Sequence, residues 1–93
     1  MDFRKLRHIL GTKLGAEESR ESNHSYFYWD VDGKQHRVAK ISHSSRGSEQ
    51  ISDFILEDTA KRMYLERAEL VEFVNCSISK DDYVKIWEER YGL

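Results

Sequence analysis

The sequence predicts an α+β fold: a small antiparallel β-sheet of two to three strands with helices packed on one face. The order is α-β-β-β-α plus two C-terminal helices. Three observations lead to this reading. Apolar residues at Phe3, Leu6, Ile9, Leu10 and Leu14 recur at helical spacing, with Arg4, Lys5, Arg7 and His8 on the other side. His24–Val31 is dense in aromatic and β-branched residues, and Asp32-Gly33 separates it from a second β-like run, Gln35–Ile41. Asp-Gly between two such runs is the strongest short-range hairpin signal. From Ile51 onward the apolar spacing is helical again.

Each element has its own justification. The first helix is expected over residues 2 to 14, with Gly15 at its C-cap. Residues 16 to 22 are polar and fit either a loop or a polar edge strand. A two-residue turn at Asp32-Gly33 sets a register: Trp29 opposite His36, Phe27 opposite Val38 and Ser25 opposite Lys40 on one face. The other face then pairs Tyr28 with Arg37, Tyr26 with Ala39 and His24 with Ile41, and His43 is the diagonal neighbour of His24. A longer turn or a bulge would change these pairs. Residues 43 to 47 read as a loop. A second helix follows with Ser48 as N-cap and Ile51, Phe54, Ile55, Ala60 and Met63 in its apolar stripe. Residues 66 to 75 form a third helix carrying Leu70, Val71, Phe73 and Val74. A fourth starts at Ser79, spaced from Asp82 for a capping box, with Ile78 and Tyr83 placed as a hydrophobic staple.

Composition bounds the function. A chain of 93 residues with 39% apolar content suits a single domain, residues 1–93. It has no apolar run long enough to span a membrane. Met1-Asp2-Phe3-Arg4-Lys5 leads into no apolar stretch of the secretory kind, so a cytoplasmic location is expected. The net charge of −2 hides an asymmetry. Residues 1 to 48 hold nine Lys/Arg against six Asp/Glu, a balance of +3, and all four histidines. Residues 49 to 93 hold six against eleven, a balance of −5. A polyanion is attracted to the first half and repelled by the second.

Nucleotide-binding and metalloenzyme signatures are absent: there is no P-loop, GxGxxG, HExxH or CxxC. No histidine pair has a metal-ligand spacing, so neither a metal nor a cofactor is expected. Cys76 ends a helix beside apolar neighbours and reads as a buried structural thiol. Asp81-Asp82 lies in the first turn of a helix, where carboxylates complement the macrodipole. His8 reads as an exposed bystander and His36 as part of the packed side or its rim. His24 and His43 share a face with Tyr26, Tyr28 and Arg37, near Lys40 and Arg46. Imidazole titrates near neutrality, so His24 can exchange a proton with a ribose 2′-hydroxyl or a leaving oxygen; the bland alternative is a surface strand histidine. Tyr26 and Tyr28 alternate on one strand, where they either stack on bases or fill core.

Two segments carry a resemblance. Ser22-Asn23-His24-Ser25-Tyr26-Phe27, then an Asp-Gly turn and Arg37-Val38-Ala39-Lys40-Ile41-Ser42-His43 before a helix, resemble the HicA family of toxin ribonucleases. The match runs over about residues 2–63. It implies a double-stranded-RNA-binding-like core in residues 1–63 and a helical extension in 64–93. It also implies a catalytic His24, RNA as substrate and an antitoxin-like protein partner. The chain departs from the family pattern in three places. Glu21 or Ser22 stands at the motif glycine, Ser25 at its second histidine, and the third-strand proline has no equivalent.

The expected function is therefore RNA binding, with a metal-independent ribonuclease activity using His24 as general base or acid. Tyr26, Arg37, Lys40, His43 and Arg46 form the expected RNA contacts. The alternative is a non-catalytic protein–protein interaction module that docks through the sheet face or the acidic helices.

Overall fold

A computed structural model of the chain describes residues 1–42 and 49–91. Asp2 begins the first helix, its carboxylate accepting from Lys5 N–H at 2.8 Å. α1 (Phe3–His8) runs without a break into a π-helical segment (Ile9–Leu14) that ends at Gly15, whose φ of +81° suits only glycine without strain. Leu6, Leu10 and Leu14 are fully buried along one line of this helix.

Three antiparallel strands follow in the order β1-β2-β3: β1 (Glu17–Glu21), β2 (His24–Val31) and β3 (Lys34–Ser42). The polar segment with two open readings is thus an edge strand. Asp32 and Gly33 both adopt left-handed backbone, φ +52° and +79°, as an Asp-Gly hairpin turn requires. Near the turn the register is the expected one, Trp29 opposite His36 and Tyr28 opposite Arg37.

Beyond that point a β-bulge shifts the register and corrects the expected pairs. Phe27 faces Ala39 rather than Val38, Tyr26 faces Lys40 rather than Ala39, Ser25 faces Ile41 and His24 faces Ser42. Val38 is the additional residue, and both it and Ala39 are buried. The physical reason is side-chain character. A strict alternation would turn Ala39 and Ile41 outward and Lys40 into the core, and one extra residue reverses all three.

Residues 49 to 51 extend the chain before the second helix. Phe3 N–H donates to Glu49 O at 3.1 Å and Ile51 N–H to Met1 O at 3.0 Å, with an isolated bridge between Asp2 and Gln50. This pairing delays the helix, so α2 (Asp53–Arg62) is capped by Ser52, which accepts from Ile55 N–H at 3.3 Å. The expected cap, Ser48, lies outside the described residues. The stripe is corrected too: Phe54 is 78% exposed, while Thr59, Ala60 and Met63 are buried. α3 (Arg67–Val74) opens with a reciprocal capping box between Glu66 and Glu69. α4 (Lys80–Tyr91) opens as expected, Ser79 Oγ accepting from Asp82 N–H at 3.1 Å.

The buried side chains form one cluster that runs from Phe3 to Trp87. Trp29, on the covered face of β2, lies 5.3 Å from Tyr83 and 5.0 Å from Trp87 between ring centroids. Leu70, Phe73 and Val74 of α3 join the same cluster. α3 and α4 therefore complete the core on the helix side of the sheet. Lys13 fastens this arrangement: its ammonium donates to Phe73 O and Ile78 O, both at 2.6 Å, and sits 4.3 Å from the Phe73 ring. It thereby places a cation at the C-terminal end of α3, where positive charge complements the helix dipole. Burial pushes the Tyr83 phenol well above its ordinary pKa, so it stays protonated and donates to Met63 O at 3.0 Å.

Both α2 and α3 end in Schellman turns built without glycine. Leu65 N–H donates to Ala60 O at 2.8 Å, leaving Tyr64 left-handed at φ +57°. Ser77 N–H donates to Glu72 O at 2.8 Å, leaving Cys76 at φ +66°. Cys76 is exposed, which corrects the expectation of a buried thiol: a residue in that position turns away from the helix it terminates.

The Tyr64 turn is held from α4. Arg90 donates to Tyr64 O at 2.7 Å and to both carboxylate oxygens of Glu69 at 2.7 and 2.9 Å. The guanidinium hydrogen bonds hold the Glu69 carboxyl below its usual range, against a smaller opposing effect of burial. A carboxyl with a depressed folded pKa stabilises fully above its unfolded pKa and loses that contribution as pH falls through the folded value. Glu69→Gln is therefore expected to lower stability by about 0.5–1 kcal/mol at neutral pH, since water screens the pair. The difference from wild type should shrink towards zero below about pH 3, where both chains carry a neutral side chain. Urea midpoints at the two pH values test this.

Candidate functional site

The open sheet face is built by alternation. Phe27 and Trp29 point into the core, so His24, Tyr26 and Tyr28 point away from it and are half-buried among themselves. With the bulge in place, the three strands present three rows on this face. Glu17, Tyr28 and Arg37 form the first, Ser19, Tyr26 and Lys40 the second, and Glu21, His24 and Ser42 the third.

The aromatic rings make a continuous stripe down the middle strand. His24 and Tyr26 lie 6.4 Å apart and Tyr26 and Tyr28 6.5 Å apart between centroids, with tilted planes. Two cations flank the central ring: Arg37 Cζ is 5.3 Å and Lys40 Nζ 5.9 Å from the Tyr26 centroid, within cation–π range. Among the described residues no carboxylate pairs with either. The charge across the face is graded, with Glu17 and Glu21 on the β1 edge and Arg37 and Lys40 on the β3 edge. A polyanion is steered along β3 and away from β1.

Of the residues expected from sequence, the structure brings His24, Tyr26, Arg37 and Lys40 together on one surface. Lys40 comes to stand opposite Tyr26 because of the bulge. His43 and Arg46 lie outside the described residues. His36 is not part of this face. It lies over the β3 edge with its ring 5.0 Å from Trp87 and 4.9 Å from Tyr91.

Sequence reasoning missed a second basic feature. A cleft of about 230 Å³ opens where β3 meets the end of α2 and α4, lined by His36, Arg37, Lys61, Arg62, Tyr64 and Trp87. Lys61-Arg62 at a helix end was a visible signal, but His36, Arg37 and Trp87 lie 24 or more positions away in sequence. A larger, mainly apolar groove of about 460 Å³ lies between α2 and α3, lined by Glu57, Ala60, Lys61, Leu65, Glu66, Arg67 and Ala68.

Among the described residues no three His, Cys, Asp or Glu side chains are grouped to hold a metal ion. No helix among them is long and apolar enough to cross a membrane. Compared with family models, curated proteins and solved structures, the chain shows no significant match.

Proposed function

We propose that the open sheet face binds RNA, in keeping with the HicA-like motif around His24. The observation that carries this reading is Tyr26 flanked by Arg37 and Lys40, in line with Tyr28 and His24. Tilted aromatic rings at a surface offer faces on which unpaired bases stack, and adjacent cations neutralise the phosphates between those bases. A metal-independent cleavage follows from His24 on the same face. Its imidazole takes the 2′-hydroxyl proton, the 2′-oxygen attacks phosphorus, and the P–O5′ bond breaks as the leaving oxygen takes a proton from solvent water. Arg37 and Lys40 hold the phosphate and offset its developing charge. An antitoxin-like protein would then act by covering the face.

The test is titration with a short RNA carrying a single-stranded loop, followed by amide NMR at several salt concentrations. Expected are shifts on residues 24 to 28 and 37 to 42, with affinity falling steeply as salt rises. His24→Ala is expected to abolish cleavage while leaving binding within a few-fold. Cleavage unchanged in that variant would remove the enzymatic half of the reading.

One observation favours a protein partner instead. Phe54, 78% exposed, shares a helical stripe with Glu57 and Lys61 at one end of the apolar groove between α2 and α3. Binding that is absent at low salt would shift the assignment to that surface.

A further inference from the structure

We propose that the cleft between β3, the end of α2 and α4 is a phosphate-binding site for a nucleotide, separate from the sheet face and joined to it through Arg37. Three cationic residues line it from two elements: Arg37 from β3, whose guanidinium carbon also lies 5.3 Å from the Tyr26 centroid, and Lys61 and Arg62 from the last turn of α2. Arg62 is partly neutralised by Asp58 at 3.0 Å. Arg37 and Lys61 have no carboxylate within ion-pair distance among the described residues, so their charge is available to an anion. His36 adds an imidazole to the wall.

The size of the cleft sets the ligand class. At about 230 Å³ it is smaller than the roughly 300–1,000 Å³ of pockets that enclose whole drug-sized ligands. A phosphate with part of its sugar fits, and the base is left at the rim. Aromatic faces are present at that rim. Tyr64 and Tyr91 are each 42% exposed, and Trp87 and Tyr91 stack at 4.9 Å with 18° between planes. The exposed Tyr64 and Tyr91 rings can accept a base by stacking, while Trp87 is buried behind them.

A second, independent observation is the backbone of Tyr64. Its turn favours glycine, and a side chain there is strained. The residue there is aromatic, with its ring 5.0 Å from Trp87 and its carbonyl held by Arg90. The contacts that hold this turn fix the Tyr64 ring at the wall of the basic cleft.

Site and sheet face lie along one basic strip, Lys40 and Arg37 on β3 and then Lys61 and Arg62. The phosphate comes either from the backbone of an RNA already crossing the sheet or from the terminal phosphate of a nucleotide. Only the first source rests on the sheet-face reading.

The experiment is amide NMR of the full chain with adenosine monophosphate, with adenosine, and with one short oligoribonucleotide bearing either a 5′-phosphate or a 5′-hydroxyl. Expected are saturable, phosphate-dependent shifts at His36, Arg37 and Lys61 to Tyr64 that adenosine does not produce. Lys61→Glu, an exposed substitution, should weaken them at least tenfold with the rest of the spectrum unchanged. Cleft shifts with both oligonucleotides assign the phosphate to the backbone, and shifts confined to the 5′-phosphorylated one assign it to the terminus. Absence of phosphate-dependent shifts at these residues with every probe overturns the site. Sheet-face shifts at Tyr26 and Lys40 are read in the same spectra, so failure of either surface is seen separately.

Discussion

Replacing Trp87 with alanine is expected to cost about 3–5 kcal/mol, the usual range for removing a buried tryptophan. Trp87 is 2% exposed and touches rings from three parts of the chain: Trp29 and His36 of the sheet, Tyr64 of the α2–α3 turn, and Tyr83 and Tyr91 of its own helix. Alanine leaves a void that these neighbours cannot fill together, because they are anchored in different elements. For a domain of this size each kcal/mol moves the melting temperature by about 4–8 °C, so a fall of about 12–40 °C is expected. Thermal unfolding followed by circular dichroism measures it. Trp87→Phe, which keeps a ring in place, should lose much less. A small effect of the alanine substitution would mean that α4 only decorates an independently stable unit in residues 1–63.

Reversing both β3 cations, Arg37→Glu with Lys40→Glu, is expected to weaken RNA binding on the order of a hundredfold at about 50 mM salt. Two charge-assisted contacts at about 1.5 kcal/mol each account for that factor. The slope of log affinity against log salt should fall by about two, one for each phosphate no longer neutralised. Neither residue is in the buried cluster, so the melting temperature should hardly move. Fluorescence anisotropy with a labelled RNA at three salt concentrations reads both quantities. Unchanged affinity with an unchanged slope would place any RNA contact elsewhere on the molecule.

The two substitutions divide the molecule along the line that its sequence divides it. Trp87 belongs to the acidic half and Arg37 and Lys40 to the basic half, which carries the sheet face, while both halves contribute to the one core. Phe54 and the groove beside it are an apolar feature on the acidic half with no described cover.

Local signals in the sequence determined the elements. Leu6, Leu10 and Leu14 specify a helical line, Asp32-Gly33 a left-handed turn, and Ser79 with Asp82 a helix start, each through interactions within a few residues. They also placed His24, Tyr26 and Tyr28 on one face, because strand alternation is a local property. Only the tertiary structure decided the partner of Tyr26. The bulge at Val38 follows from the core's demand for Val38, Ala39 and Ile41 together, and that demand comes from helices distant in sequence. The start of α2 was settled in the same way: residues 49 to 51 pair with residues 1 to 3, the helix is capped at Ser52, and Phe54 stands exposed. The basic cleft lies furthest from sequence. Its residues are separated by up to 51 positions and share no periodicity, and they meet only because α2 ends against β3 while α4 packs beneath the same strand edge.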